Sequence, residues 1–176
     1  MNMNMNMNMN STNYESNITN SISTSKTEPD NQYVCFKFDS DEYALDIKYI
    51  QEVIRIPAIT HVPQMPDFVL GIVNIRGKIV PIFDLRKKLM LEDKPFNKLS
   101  KLIVTNKNNS LLSFVIDEIS DNTKLNANQI DPTPSVKTKI DKNCINGIGI
   151  LRERMIVILD FEKLNELINS EINKAK

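Results

Sequence analysis

Few residues in this 176-residue chain are of types that do chemistry, and their spacing decides what they could do. The single histidine, His61, sits between Thr60 and Val62-Pro63. It is the one conventional base available to activate a Ser or Cys, and no nucleophile elbow accompanies it. Zinc sites gather their Cys and His ligands at local spacing, and Cys35, His61 and Cys144 show no such grouping. Asp39-Ser40-Asp41 opens like a calcium loop, but Ala44 stands where the loop needs Gly and Ile50 where it needs a bidentate Glu. Gly147-Ile148-Gly149 lies inside an apolar run and opens no helix, so it lacks the context of a phosphate cradle. Asp117 and Glu118, adjacent in a strand, point to opposite faces and cannot work as an acid-base pair. The chain reads as a non-enzyme, with no cofactor and no metal.

One constellation remains: Asn74-Ile75-Arg76-Gly77. Arginine presents a rigid fork of donors that can clamp a carboxylate or carbonyl of a partner, and it is enriched among interface hot spots. Arginine at a hairpin tip is also common as solubilising decoration. The residues alone leave both roles open.

The elements that must carry this tip follow from periodicity. Val34, Phe36 and Phe38 alternate with Tyr33, Cys35 and Lys37, the pattern of a half-buried strand. A polar turn over Asp39–Glu42 leads to a second strand, then to a helical turn near Asp46–Ile50 and a short strand at Val53–Ile56. Val69–Ile75 and Lys78–Phe83 form a hairpin about Arg76-Gly77, with Gly77 free to take positive φ. Pro81 cannot donate to a ladder and should face an edge or a bulge. Asp84 caps a short helix through Met90, in which Arg86-Lys87-Lys88 reads as the solvated side of one turn. A second hairpin joins Leu102–Val104 to Leu111–Ile119, with Thr123–Leu125 as its extension. A long surface loop is expected over Asn126–Asn143. Ile145–Leu151 pairs with Met155–Leu159, and Phe161, Leu164 and Ile168 mark an amphipathic helix.

Many short strands of this kind predict a mainly β fold of two small five-stranded barrels, with short helices and a C-terminal amphipathic helix. The barrels are expected near 33–90 and 100–160, the helix near 161–172, and the whole domain over 32–170. Residues 1–31, beginning with Met-Asn repeats, form an Asn- and Ser-rich tail too polar to offset its ordering entropy, hence disordered.

Composition narrows the function further. Lys plus Arg number 22 and Asp plus Glu number 22, which argues against a nucleic-acid binder with its excess of basic charge. Aromatic residues are 6% and Trp is absent, so the stacking platform of a small-barrel nucleic-acid binder is missing too. No run approaches the ~18 apolar residues of a membrane span, and the N-terminus lacks a signal peptide. Two isolated thiols fit a reducing cytosol, although one long-range disulfide stays open.

The chain resembles the CheW-like domain family. The first half does so through Tyr43-Ala44-Leu45-Asp46-Ile47, Ile50-Gln51-Glu52-Val53-Ile54 and Ile59-Thr60-His61-Val62-Pro63. The most specific stretch is Gly71-Ile72-Val73-Asn74-Ile75-Arg76-Gly77-Lys78-Ile79-Val80-Pro81-Ile82-Phe83-Asp84-Leu85. The second half agrees through Phe114-Val115-Ile116-Asp117, Ile145-Asn146-Gly147-Ile148-Gly149 and Ile158-Leu159-Asp160. Ser113 departs from the family, where a small Gly is common, and so does the Met-Asn tail. The resemblance implies a cytoplasmic adaptor, recruited to receptor arrays, that joins the cytoplasmic tips of chemoreceptors to the regulatory domain of the histidine kinase CheA. It implies no catalysis, no cofactor and no direct insertion into the membrane. It further implies that Arg76 is the coupling arginine, with Asn74 and Gly77 beside it, and that Glu52 is its family's acidic position. Ile50, Val53 and Leu102 would line an apolar groove between the barrels that receives the receptor. With no receiver domain after Ile168 and no kinase domain before Tyr33, a stand-alone adaptor is expected.

Overall fold

A computed structural model describes residues 31–132 and 140–174. The expected disordered tail lies outside the described residues except for Asn31, which opens the first strand. The six-stranded sheet has the order β8 (Glu118–Leu125), β1 (Asn31–Phe38), β2 (Asp41–Asp46), β11 (Arg154–Leu159), β10 (Ile145–Leu151) and β9 (Ile130–Asp131). The five-stranded sheet has the order β3 (Ile50–Arg55), β6 (Lys101–Lys107), β7 (Ser110–Ile116), β5 (Lys78–Asp84) and β4 (Val69–Ile75). Two helices complete the fold, α1 (Leu85–Lys88) and α2 (Phe161–Lys174).

Neither sheet closes through a continuous ladder, yet each curls around a small core of its own. Val73, Val80, Ile82, Leu102, Val104 and Val115 fill the five-stranded one. Tyr33, Cys35, Ala44, Leu125, Ile156 and Ile158 fill the six-stranded one. A larger core joins the backs of the two, with Phe36 and Phe38 from one sheet, Phe83 and Phe114 from the other, and Phe161, Leu164 and Ile168 of α2 against them. Strand β1 is therefore buried on both faces, not half-buried, because Tyr33 and Cys35 face one core while Phe36 and Phe38 face another. The architecture is mainly β, two barrel-like sheets plus a C-terminal helix.

The barrels are not the two contiguous halves, 33–90 and 100–160, that local pattern suggests. Strands β1 and β2 belong with β8, β10 and β11, while β6 and β7 belong with β3, β4 and β5. Parallel ladders lock this exchange, β2 with β11 and β5 with β7. Such ladders join strands far apart in the chain, so short-range alternation carries no trace of them. Asp117 alone separates β7 from β8, and there the chain leaves one sheet for the other. Thr123–Leu125 accordingly pairs with β1 instead of extending the second hairpin. The expected loop at Asn126–Asn143 contains the short β9 and the 3-10 turn Ala127–Gln129 and runs into a second 3-10 turn, Lys142–Cys144; residues 133–139 lie outside the described residues. Strand β5 is interior, and its ladder to β7 begins at Ile82, just after Pro81.

The basic turn Arg86-Lys87-Lys88 is the clearest departure from expectation. Asp84 does cap α1, accepting the Lys87 N–H at 3.2 Å. Arg86, however, is only 2% exposed. Its Nε donates to Asp117 Oδ1 at 2.8 Å, its Nη2 to Asp117 Oδ2, and its Nη1 to the Glu92 carbonyl at 2.8 Å and Asp39 Oδ2 at 3.3 Å. The guanidinium also lies over the Phe38 ring. A buried cation persists only when paired and hydrogen-bonded, and Asp117, at the crossover between the sheets, supplies the pair. Cys35 and Cys144 are both buried free thiols, and burial pushes the Cys35 thiol up to about 12.

Candidate interaction site at the hairpin tip

Both central residues of the Ile75–Lys78 turn have positive φ, 52° at Arg76 and 82° at Gly77, as in a type I′ turn. Gly77 takes this conformation freely, whereas an arginine takes it at a cost that Asn, Asp or Gly would avoid. Asn74 closes the turn, its Oδ1 accepting the Gly77 N–H at 2.8 Å. At the other end of β4, Thr60 and Ile72 exchange two backbone hydrogen bonds of 2.9 Å. Gly71 permits that approach, since a Cβ there would lie 2.2 Å from the Thr60 carbonyl oxygen.

The curl of the five-stranded sheet brings its opposite edges, β3 and β4, together at this tip. Arg76 Nη2 donates to Glu52 Oε2 at 2.8 Å. The two partners sit in different environments, the Arg76 side chain 79% exposed and that of Glu52 16%. One guanidinium nitrogen is engaged, and the remaining donors of the fork face solvent. Glu52 Oε1 is buried without a hydrogen-bond partner among the described residues, so the pair is single-stranded and not a saturated bidentate contact.

The other residues singled out in the sequence divide by face. A bulge in the β3–β6 ladder between Ile50 and Glu52 resets the alternation. Glu52 and Ile54 lie opposite Val104 and Leu102, which fill the core of the five-stranded sheet. Ile50 and Val53 lie opposite Thr105 and Ile103 and turn towards the seam between the two sheets. Val53 is 38% exposed there, as is nearby Ile47. Leu102 is fully buried on the other face. It is a core residue with no surface to lend a groove, because it stands opposite Ile54 of β3 and packs into the core of the five-stranded sheet. Asn74, Arg76, Gly77 and Glu52 are thus assembled, Ile50 and Val53 stand apart at the seam, and Leu102 drops out.

A third arginine cluster was not anticipated. At the mouth of the six-stranded sheet Arg154 donates to Glu42 at 2.7 and 3.0 Å and to Asp121 at 2.8 and 3.2 Å. The Arg154 guanidinium holds the Asp121 carboxyl below its ordinary value. Period-two alternation carries the signal, for Arg154 shares a strand face with Ile156 and Ile158. His61 is exposed on its loop, and no group of three His, Cys, Asp or Glu able to hold a metal exists among the described residues. No described helix is long and apolar enough to cross a membrane.

Comparison with known proteins adds the family context. The model of the CheW-like domain family matches residues 32–168. A chemotaxis protein CheW from Klebsiella aerogenes is 35% identical over 133 residues, 76% of this chain and 80% of that protein. One from Thermotoga maritima is 31% identical over 135 residues, 77% of this chain and 87% of that protein. The crystal structure of the scaffolding protein TtCheW from Thermoanaerobacter tengcongensis superposes with a TM-score of 0.74 at 31% identity, covering 81% of this chain and 97% of that one.

Proposed function

Because the chain belongs to the CheW-like domain family, we propose that it is a non-enzymatic chemotaxis adaptor coupling chemoreceptors to the histidine kinase CheA. Relatives named for chemotaxis and for scaffolding support this reading. The observation that carries it is Arg76. An arginine held in a conformation that disfavours it, 79% exposed and tied by one N–H to Glu52, keeps a positioned fork of donors free for a partner.

In this reading Glu52 orients Arg76, Asn74 and Gly77 shape the turn beneath it, and Ile50 and Val53 offer apolar contact at the seam to a receptor tip. The adaptor works in the cytoplasm and reaches the membrane only through its partners. Signalling then runs through binding geometry, with modest individual contacts reinforced by avidity in an array. The test is a calorimetric titration of the full chain against a receptor cytoplasmic fragment and against a CheA regulatory domain, separately and together. Binding of both at once, with one interface weakened by Arg76→Ala, is the expected result. Binding of neither overturns the proposal and moves this fold to another signalling pathway.

A further inference from the structure

Residues 71–85 recur in kind at 147–161. Gly71 and Gly147, Ile72 and Ile148, Arg76 and Arg152, Ile82 and Ile158, and Asp84 and Asp160 stand at matching places. The backbone matches as well. Each hairpin ladder is bulged just before its glycine, between Val69 and Gly71 and between Ile145 and Gly147. Both glycines lie against a neighbouring backbone, where a Cβ would come within 2.2 Å of the Thr60 carbonyl oxygen and 2.8 Å of that of Asp131. Arg76 and Arg152 both have positive φ, 52° and 57°. Asp84 caps α1, and Asp160 caps α2 by accepting the Glu162 and Lys163 N–H groups at 3.0 Å each. One unit, hairpin plus capped helix, is thus used twice.

The other hairpins are traded between these units. The β1–β2 hairpin precedes the first unit in the chain yet inserts between β8 and β11 of the second. The β6–β7 hairpin precedes the second unit yet inserts between β3 and β5 of the first. The ladders flanking the inserted hairpins, β1–β8, β2–β11, β3–β6 and β5–β7, therefore all join residues 31–90 to residues 101–174. The Arg86–Asp117 and Arg154–Glu42 pairs cross the same divide. Residues 91–100, the covalent link between the halves, carry no strand or helix, and all but Leu91 and Ser100 are exposed. Ladders and cores hold the halves together, and the connector contributes mainly proximity.

We propose that a second copy of this chain is a partner through exchange of halves, residues 31–90 of one copy folding with residues 101–174 of the other and the reverse. The reciprocal dimer keeps the cores and ladders of the monomer and differs only at the connector, which is the condition for domain swapping. Arg76 and Glu52 both belong to the first half, so the dimer presents two complete tips. Arg86 and Asp117, in contrast, would pair between copies. The exchange does not depend on the adaptor reading, although it would make such an adaptor bivalent.

The experiment refolds the full chain from urea at two concentrations, about 1 mM and about 1 μM, and weighs the products by light scattering after size exclusion. A short flexible connector holds its ends at an effective concentration on the order of 1 mM. Exchange should therefore rival closure at the higher concentration, with roughly half the chains dimeric, and capture about one chain in a thousand at the lower. The dimers should survive dilution, because parting the halves requires both sheets to unfold. Copies carrying ordinary and heavy nitrogen should give dimers of mixed mass when refolded together and none when mixed after folding. A chain lacking residues 93–96 has less reach for closure, so its dimer share at about 10 μM should exceed that of the full chain about tenfold. Monomer alone from the full chain refolded at the higher concentration overturns the proposal. So does a dimer that falls apart on dilution or mixes its labels without unfolding, since that is a contact between surfaces and not an exchange of halves.

Discussion

Arg76 and Arg86 flank the same strand, β5, and meet opposite fates. Arg76 stands at the hairpin tip with its side chain 79% exposed and one hydrogen bond to a carboxylate. Arg86 is 2% exposed, and its Nε, Nη1 and Nη2 are all engaged by Asp117, Asp39 and the Glu92 carbonyl. The difference separates two uses of one residue type. A saturated, buried guanidinium is part of the framework, and here it ties α1 to the crossover between the sheets. A guanidinium with spare donors, fixed from one side only, is available to something outside the chain.

The largest effect expected from this contrast is on stability at Arg86. Replacing it by Met keeps bulk but strips Asp117 of its partner, and breaking such a buried pair should cost about 3 kcal/mol. Urea unfolding measures it, and a loss as small as that of a surface substitution would erase the distinction. The next effect is on binding at Arg76. Arg76→Ala should weaken one partner by about 2 kcal/mol, or roughly 30-fold, and shift unfolding by less than about 0.5 kcal/mol. A large loss of stability with unchanged affinity would instead place Arg76 in the framework beside Arg86.

A smaller effect separates the Arg76 backbone from its side chain. Arg76→Asn should be about 0.5–1 kcal/mol more stable than Arg76→Ala, because Asn tolerates positive φ. Its partner binding should be as weak as that of the Ala variant. The β6–β7 hairpin shows the turn chemistry that folding alone favours, with Asn108 and Asn109 at φ of 51° and 65°. Recovered binding in the Asn variant would mean that the turn, not the guanidinium, is recognised.

The smallest effect concerns acid stability around Arg86. Lys94 first and Arg86 second hold the Asp39 carboxyl below its ordinary value. A depressed carboxylate adds stability that is complete above its unfolded pKa, about 3.9, and is lost as pH falls through the lower folded value. Asp39→Asn should therefore flatten the fall of unfolding free energy below about pH 4. An unchanged slope in urea melts across that range would remove Asp39 from the cluster's energetics.

Much of this was legible in the chain itself. The Asn74–Gly77 turn, the Asp84 cap and the amphipathic Phe161–Lys174 helix appear where periodicity and turn chemistry put them. Each depends on residues within a few positions of one another, and local rules reach that far. The candidate site was legible in part, Arg76 from its residue type at a hairpin tip and Glu52 only through the resemblance to the CheW-like family. Leu102 and Val53 could not be told apart by apolar character, because the face each presents depends on a bulge in β3 and on the pairing of β3 with β6.

The amino-acid sequence by itself determined most of the strands, the hairpin turns, the family and the exposed arginine at a tip, since these follow from neighbouring residues and intrinsic backbone preference. Only the tertiary structure decided which strands share a sheet and that Arg86 is inside. It also decided that Arg76 finds Glu52 and Arg154 finds Glu42 and Asp121. Those pairings span 31, 24, 112 and 33 positions of chain. At such separations the partner is chosen by how the sheets curl and cross, and a charge becomes buried or exposed only once that crossing has placed a carboxylate beside it.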